Sequence, residues 1–145
     1  MFKISRTRLS RDEVRTLLFS LDAAFVERLA ETVDVEDYCC KLSDNALFEI
    51  AENDGGIAGV VAFYENPSAI YITYVCVNVA QRQKGVAYQL MESICHYVDC
   101  QQKPVSLEVR VSNERAIKIY ENAGFVVKSM NGEKFFMTRK PVSNG

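Results

Sequence analysis

Residues 77–87 have the residue types of an anion-binding loop between a strand and a helix. An apolar, β-branched run ends there, a short stretch with Arg82 and Lys84 follows, and a helical pattern begins near Gly85. The first N–H groups of a helix have no acceptors within the helix and carry partial positive charge, so they attract phosphates. Glycine at this point lets a phosphate approach the backbone closely. The loop therefore predicts a pyrophosphate cradle.

The same loop has a second interpretation that needs no ligand. It matches neither the Walker pattern GxxxxGK[ST] nor the dinucleotide pattern GxGxxG. Its two basic side chains also fit a solvated surface, and Gly85 also fits a tight turn. From the loop alone, both interpretations stay open.

A second segment narrows the interpretation of the loop at residues 77–87. Residues 107–125 read LEVRVSNERAIKIYENAGF and resemble the LEVRxxNxxAIxLYExxGF signature of GNAT acetyltransferases. Residues 82–87, RQKGVA, resemble the [RQ]xxGx[GA] acetyl-CoA loop of the same superfamily, and both motifs occur in the family's order. The spacing from the glutamate of LEVR to the tyrosine is most similar to that of ribosomal-protein N-terminal alanine acetyltransferases.

The resemblance implies a fold for the whole chain. We expect a single α/β (α+β) domain over residues 1–140, with a mixed sheet of about seven strands, about four helices, and two central parallel strands that splay apart. The hydrophobic patterns give the order strand, two helices, three strands, helix, strand, helix, two strands. They place the first two helices at residues 10–28 and 34–42 and the splayed strands at 69–78 and 105–111. Residues 141–145 are expected to form a frayed tail.

In this family, acetyl-CoA lies in the opening between the splayed strands. The resemblance therefore implies one set of residues for binding it: Cys76, Val77, Val79, Arg82, Gln83, Lys84, Gly85, Val86, Ala87 and Asn113. Asn113 is also expected to cap the next helix, and a backbone N–H near Val77 to stabilise the oxyanion of the reaction. No metal is expected.

The resemblance also assigns two catalytic residues. The family's tyrosine protonates the departing thiolate, which makes Tyr120 the expected acid, although its ring also fits an apolar helix face. In the ribosomal-protein enzymes the glutamate of LEVR is the general base, which points to Glu108, although an ion pair also fits its place on a polar strand face. Tyr71, Tyr74 and Glu65 stay open as groups that hold or deprotonate the acceptor through water.

Composition limits the partners and the compartment. A net charge of −2 over 145 residues gives no basic field for nucleic acid. No apolar run reaches the length of a membrane span, and the N-terminus lacks a signal-peptide pattern, so we expect a cytoplasmic protein without a membrane partner. The five cysteines form no CxxC pair and are expected to be reduced thiols and not zinc ligands.

Together these features predict an acetyl-CoA-dependent N-acetyltransferase that works by direct attack of a primary amine. The acceptor is left open between a protein N-terminus or lysine and a small amine, including an amino-sugar or an antibiotic. The alternative without catalysis is an acetyl-CoA-binding regulatory module. A homodimer is also left open.

Overall fold

The computed structural model describes residues 2–81 and 85–143. Its elements follow in this order: β1 (Lys3–Thr7), α1 (Arg11–Leu21), α2 (Ala23–Ala30), α3 (Val35–Asn45), β2 (Ala46–Asn53), β3 (Gly56–Glu65), β4 (Ile70–Val77), a 3₁₀ turn (Val79–Gln81), α4 (Val86–Gln101), β5 (Val105–Arg110), α5 (Glu114–Asn122), β6 (Val126–Asn131) and β7 (Lys134–Arg139). Within the described ranges, no helix combines the length and hydropathy that a membrane crossing requires.

All seven strands form one mixed sheet with the order β1-β2-β3-β4-β5-β7-β6. Every neighbouring pair is antiparallel except β4 and β5, which are parallel and joined through α4. One face packs against α4 and α5, and the other face of the N-terminal strands packs against α1, α2 and α3. The predicted single α/β domain is confirmed.

The α4 side shows how the hydrophobic pattern becomes packing. Leu90, Ile94 and Val98 recur at helical spacing and are fully buried. They belong to the same core cluster as Phe63 and Leu107 of the sheet. Burying side chains of this size stabilises the fold by about 1.5 to 3 kcal/mol each, so α4 is fixed firmly against the strands.

The two parallel strands separate soon after they meet. β4 and β5 are paired at only three positions, the last of them Ile72 with Leu107. The next residue of β4, Thr73, is an extra residue, because the register with β3 jumps from Ile72 to Tyr74. A bulge of this kind bends its strand. The predicted splay is therefore confirmed, and it begins at Thr73.

The N-terminal helical region differs from the prediction. The single helix expected over residues 10–28 is broken at Asp22 into α1 and α2, which makes three N-terminal helices and five in the described chain. The backbone N–H of Asp22 bonds to the Leu18 carbonyl and closes α1, while its carboxylate accepts from the Phe25 N–H and caps α2. This capping bond competes with continuation of the helix.

The C-terminal segment is tied down further than expected. The Val142 N–H donates to Asp99 Oδ1 at 2.9 Å, and Gln102 Nε2 donates to the Val142 carbonyl at 3.2 Å. Asp99 also forms an ion pair with Arg139 at 2.8 Å. These bonds hold the segment against the end of α4 as far as Val142, while residues 144 and 145 lie outside the described residues, so the predicted boundary at residue 140 and the frayed tail stay predictions.

Candidate functional site

A cavity of about 720 Å³ lies where β4 leaves β5, on the side of the sheet covered by α4 and α5. It brings together most of the predicted site residues from three separate elements. The predicted residues that line it are Cys76, Val77, Gly85, Val86, Ala87, Asn113 and Tyr120. Cys76 and Tyr120, more than forty positions apart in sequence, therefore share one space.

The other predicted residues stand as follows. Val79 belongs to the 3₁₀ turn after β4. Arg82, Gln83 and Lys84 lie outside the described residues, so their roles stay predictions. Glu108 lies on the other face of the sheet.

The N-terminus of α4 opens into the cavity without a side-chain cap. The other four described helices all have one: Ser10, Asp22, Asp34 and Asn113. At α4 the cap residue is Gly85, and the first bond within the helix runs from the Gln89 N–H to the Gly85 carbonyl at 3.1 Å. The N–H groups of residues 86–88 consequently have no partner within the helix, which suits an anion.

Gly85 has the conformation that this entrance needs. Its φ is 79°, in the left-handed region, where a residue with a Cβ is strained. A Cβ built there would meet no atom of residues 2–81 or 85–143 within 4 Å, so these residues leave the space beside the backbone open. The backbone is therefore accessible to a phosphate at this point.

Three side-chain amides, whose pairing the sequence did not indicate, fix the turn that leads from β4 toward α4. Asn53 Nδ2 donates to Gln81 Oε1 at 3.1 Å, and Gln81 is buried. Asn78 Nδ2 donates to the Ile57 carbonyl at 3.1 Å, and its Oδ1 accepts from the Ala80 N–H at 3.0 Å. These bonds anchor the turn to the β2–β3 hairpin, which holds the entrance of α4 in place.

The backbone of β4 presents free groups to the opening. The Asn78 N–H donates to the Ala58 carbonyl at 2.8 Å, so it points toward β3. Because successive N–H groups of a strand point to opposite edges, the N–H of Val77 points toward the gap left by β5. This orientation fits the predicted oxyanion donor.

Asn113 caps α5 as predicted, and its side chain can form further hydrogen bonds. Its Oδ1 accepts from the Ala116 N–H at 3.2 Å and caps α5. Its side-chain NH₂ group has two more donors, and the residue lines the cavity. One side chain can therefore order α5 and bond to a ligand.

Tyr120 stands in the cavity wall in a form that can donate a proton. Its side chain is buried, with the ring 5.9 Å from that of Phe125. Burial raises the pKa of Tyr120 to about 12. The hydroxyl is therefore protonated at neutral pH, as an acid must be before it acts.

Glu108 borders the same opening from the other face of the sheet. It follows Leu107, the last β5 residue paired with β4, so its backbone belongs to the separated part of β5. The carboxylate is exposed and accepts a long hydrogen bond, 3.4 Å, from the Tyr71 hydroxyl. Its proposed role as a base remains a prediction.

Glu65, left open as an alternative base, is held elsewhere. Lys103 Nζ lies 2.7 Å from its Oε2, and the Tyr97 hydroxyl donates to its Oε1. Glu65 and its two partners do not line the cavity. The ion pair accounts for this glutamate structurally.

Two basic residues on α5 and an exposed tyrosine on α4 also line the cavity and were missed. Arg115 and Lys118 are three residues apart and so share one face of α5. Tyr88 is 54% exposed beside the helix entrance. The spacing of Arg115 and Lys118 was the only sequence feature that could have indicated a shared role. Exposed charges on a helix usually face only solvent, so this feature was weak.

The described residues include five cysteines, and Cys76 is the one that lines the cavity. None of the five cysteines forms a disulfide. Across residues 2–81 and 85–143, no group of three or more His, Cys, Asp or Glu residues is arranged to hold a metal ion.

Several solved structures share the fold at low sequence identity. PaiA N-acetyltransferase from Thermoplasma acidophilum, in complex with coenzyme A, has a TM-score of 0.72 and 18% identity and covers 95% of this chain and 99% of its own. The ribosomal-protein-S18-alanine N-acetyltransferase from Escherichia coli has a TM-score of 0.74 and 16% identity, with coverages of 99% and 97%. A Bacillus subtilis acetyltransferase in complex with CoA has a TM-score of 0.73 and 15% identity, with coverages of 98% and 100%.

No curated protein sequence matches the chain. The family model described as "Acetyltransferase (GNAT) family" matches residues 13–125, which span both motifs and the cavity. That match covers well over half of the chain. The protein therefore belongs to the GNAT family of acetyltransferases.

Proposed function

We propose that this protein transfers the acetyl group of acetyl-CoA to a primary amine by direct attack of the amine on the thioester. One observation carries the proposal: a single cavity connects an uncapped helix N-terminus to a buried, protonated tyrosine along the free edge of β4. Family membership supports the same activity, and two of the structures with this fold are complexes with coenzyme A.

The binding residues follow from the chemistry of the cavity. The free N–H groups at the start of α4 suit the pyrophosphate of acetyl-CoA, and Arg115 and Lys118 add positive charge. The free edge of β4 near Val77 suits the amide groups of the pantetheine arm. Asn113 has donors left for the same arm. Cys76 forms part of the cavity wall beside that edge.

The proposed chemistry needs one base, one acid and one oxyanion donor. Glu108, or a water that it orders, accepts the proton of the attacking amine as the C–N bond forms. The N–H of Val77 stabilises the negative charge on the carbonyl oxygen. The C–S bond then breaks, and Tyr120 donates its proton to the sulfur. Tyrosine suits this step because its raised pKa keeps the proton in place until a thiolate develops.

The acceptor is proposed only as a primary amine. The names of structures with this fold range from the ribosomal-protein alanine enzyme to a nourseothricin acetyltransferase and a phosphinothricin N-acetyltransferase. The fold is therefore compatible with a protein N-terminus, a lysine and several small amines. The choice among them depends on the face of the sheet that α1, α2 and α3 cover, which is called the helical face below.

A screen of amines against acetyl-CoA tests the proposal. The panel contains tri-alanine, Nα-acetyl-lysine, spermidine and glucosamine, and mass spectrometry measures the acetylated product and the released CoA. We expect amine-dependent acetylation by at least one class. Tight acetyl-CoA binding without transfer to any amine would support a regulatory module instead. Absence of CoA binding would refute the proposal that the cavity is a CoA site.

A further inference from the structure

The junction between α1 and α2 borders the opening from the face opposite the cavity. Cys76 of β4 lines the cavity, and its Sγ lies 3.9 Å from the carbonyl oxygen of Leu21, the last residue of α1. In the proposed function, acetyl-CoA fills the cavity on the α4 side. An amine that reaches the thioester from the other side approaches the face of the sheet on which this junction and the exposed Glu108 lie.

Asp22 is the charged residue at that junction, and its carboxylate is held at both oxygens. Oδ1 accepts from the Phe25 N–H at 3.2 Å, and Oδ2 accepts from the Tyr74 hydroxyl at 3.1 Å. A carboxylate has about four acceptor positions, so about two remain for a ligand. The side chain is half-buried, which leaves it accessible while limiting the screening by water.

Tyr74 gives this carboxylate a fixed position relative to the opening. It lies on β4 two residues before Cys76 and faces the same side of the sheet. Its ring is 7% exposed and packs 4.9 Å from the ring of Phe25. Burial raises the pKa of Tyr74 far above its ordinary value, and the neighbouring Cys76 and Asp22 add to the shift. The hydroxyl therefore stays protonated and donates to Asp22.

We propose that Asp22 binds the amino group of the acceptor on the helical face of the sheet, and that Tyr74 is the positioning residue that holds the Asp22 carboxylate there. The inference rests on the proposed function. It names the acceptor class as aliphatic amines that are cationic in neutral solution, because a carboxylate attracts an ammonium ion. The bound ammonium ion gives up one proton to water, and the neutral amine then attacks while the proposed base accepts the second proton as the C–N bond forms.

Two substitutions separate this role from a structural one. Asp22→Asn removes the charge but keeps a side chain that caps helices equally well. Tyr74→Phe keeps the cap and the ring and removes only the hydroxyl. Asp34→Asn is the matched control, because Asp34 caps α3 through the N–H groups of Glu36 and Asp37 and does not line the cavity.

The measurement is the steady-state KM of both substrates, with the amine that the wild-type protein acetylates fastest in the panel above. We expect Asp22→Asn to raise the KM of the amine roughly 10- to 100-fold, the range of a hydrogen bond to a charged group. Tyr74→Phe should raise it by less. The KM of acetyl-CoA should stay within about twofold in both variants, and salt should raise the amine KM of the wild type more than that of Asp22→Asn.

Each outcome decides the matter. An unchanged amine KM in Asp22→Asn, or an equal rise in Asp34→Asn, would overturn the inference while the proposed function stands. If Asp22→Asn fails to fold, Tyr74→Phe decides alone, and an unchanged amine KM there overturns the role of Tyr74 and with it the inference. A wild-type protein that acetylates no amine would instead refute the proposed function, and this inference with it.

Discussion

Replacing Tyr120 with Phe tests the proposed acid by removing a single oxygen atom. The side chain is 8% exposed and its ring packs 5.9 Å from that of Phe125. Its hydroxyl forms no hydrogen bond with any other described residue, so the substitution leaves no protein group unpaired there. We therefore expect the free energy of unfolding to change by less than about 1 kcal/mol.

The expected effect on the reaction is larger and specific. General acid catalysis contributes about 10²- to 10⁴-fold, and a thiolate is a good leaving group, so the low end applies. A loss of about 100-fold in kcat corresponds to about 2.7 kcal/mol of activation free energy. The pKa of Tyr120 is raised to about 12, so the acid is lost only as the pH rises through that value. Below about pH 10, the fold-loss should therefore be independent of pH.

Single-turnover acetylation rates and calorimetric acetyl-CoA affinities should be measured for wild type and for Tyr120→Phe. Tyr88→Phe is the control, because Tyr88 lines the same cavity but is 54% exposed. The dissociation constant of acetyl-CoA should change by less than about twofold in either variant. Full turnover by Tyr120→Phe, under conditions where the chemical step limits the rate, would refute the acid role.

Three further changes test the loop before α4 and the ion pair between Asp99 and Arg139. Gly85→Glu should abolish acetyl-CoA binding, because it places a carboxylate at the phosphate site and strains a φ of 79°; unchanged calorimetric affinity would count against the cradle. Changing Arg82 and Lys84 together to Ala should weaken CoA binding at low salt and have less effect at high salt, and normal low-salt binding would identify both as solvated. Asp99→Asn should reduce the free energy of unfolding in urea by on the order of 3 kcal/mol at neutral pH, since Arg139 loses its charge partner. Because Arg139 lowers the pKa of Asp99, this advantage is full above the ordinary aspartate value and is lost as the pH falls through the folded pKa; an equal difference in acid would contradict the ion-pair account.

The strands and the C-terminal helices were predictable because their signals are local. Val105, Leu107 and Val109 alternate with polar residues, and the structure buries these three against the α4 side. The positions of the predicted α4 and α5 residues in the cavity wall were predictable for a similar reason, since each motif spans fewer than twenty residues. Where a strand, a turn and a helix follow one another directly, the end of the strand and the N-terminus of the helix lie close together without help from distant contacts.

Features that depend on distant contacts were not predictable. Asp22 lies in an apolar periodic pattern that fits one long helix, and the break becomes visible only when its carboxylate bonds to Phe25 and Tyr74. Asn53 and Gln81 are 28 residues apart, and nothing in either local sequence names the other. A polar side chain can form hydrogen bonds with many different groups, so its partner can be assigned only once the fold is known.

A single extra residue in β4 accounts for both sides of the proposed site. The bulge at Thr73 ends the pairing with β5, which frees the edge of β4 where the N–H of Val77 faces the gap. The same bulge changes the alternation of the strand, so Tyr71 and Tyr74 face the helical side together although they are three residues apart. Tyr71 then bonds to Glu108 on β5, and Tyr74 to Asp22 between α1 and α2. The irregularity that separates β4 from β5 therefore also places two tyrosine–carboxylate pairs on the face from which the amine is proposed to approach.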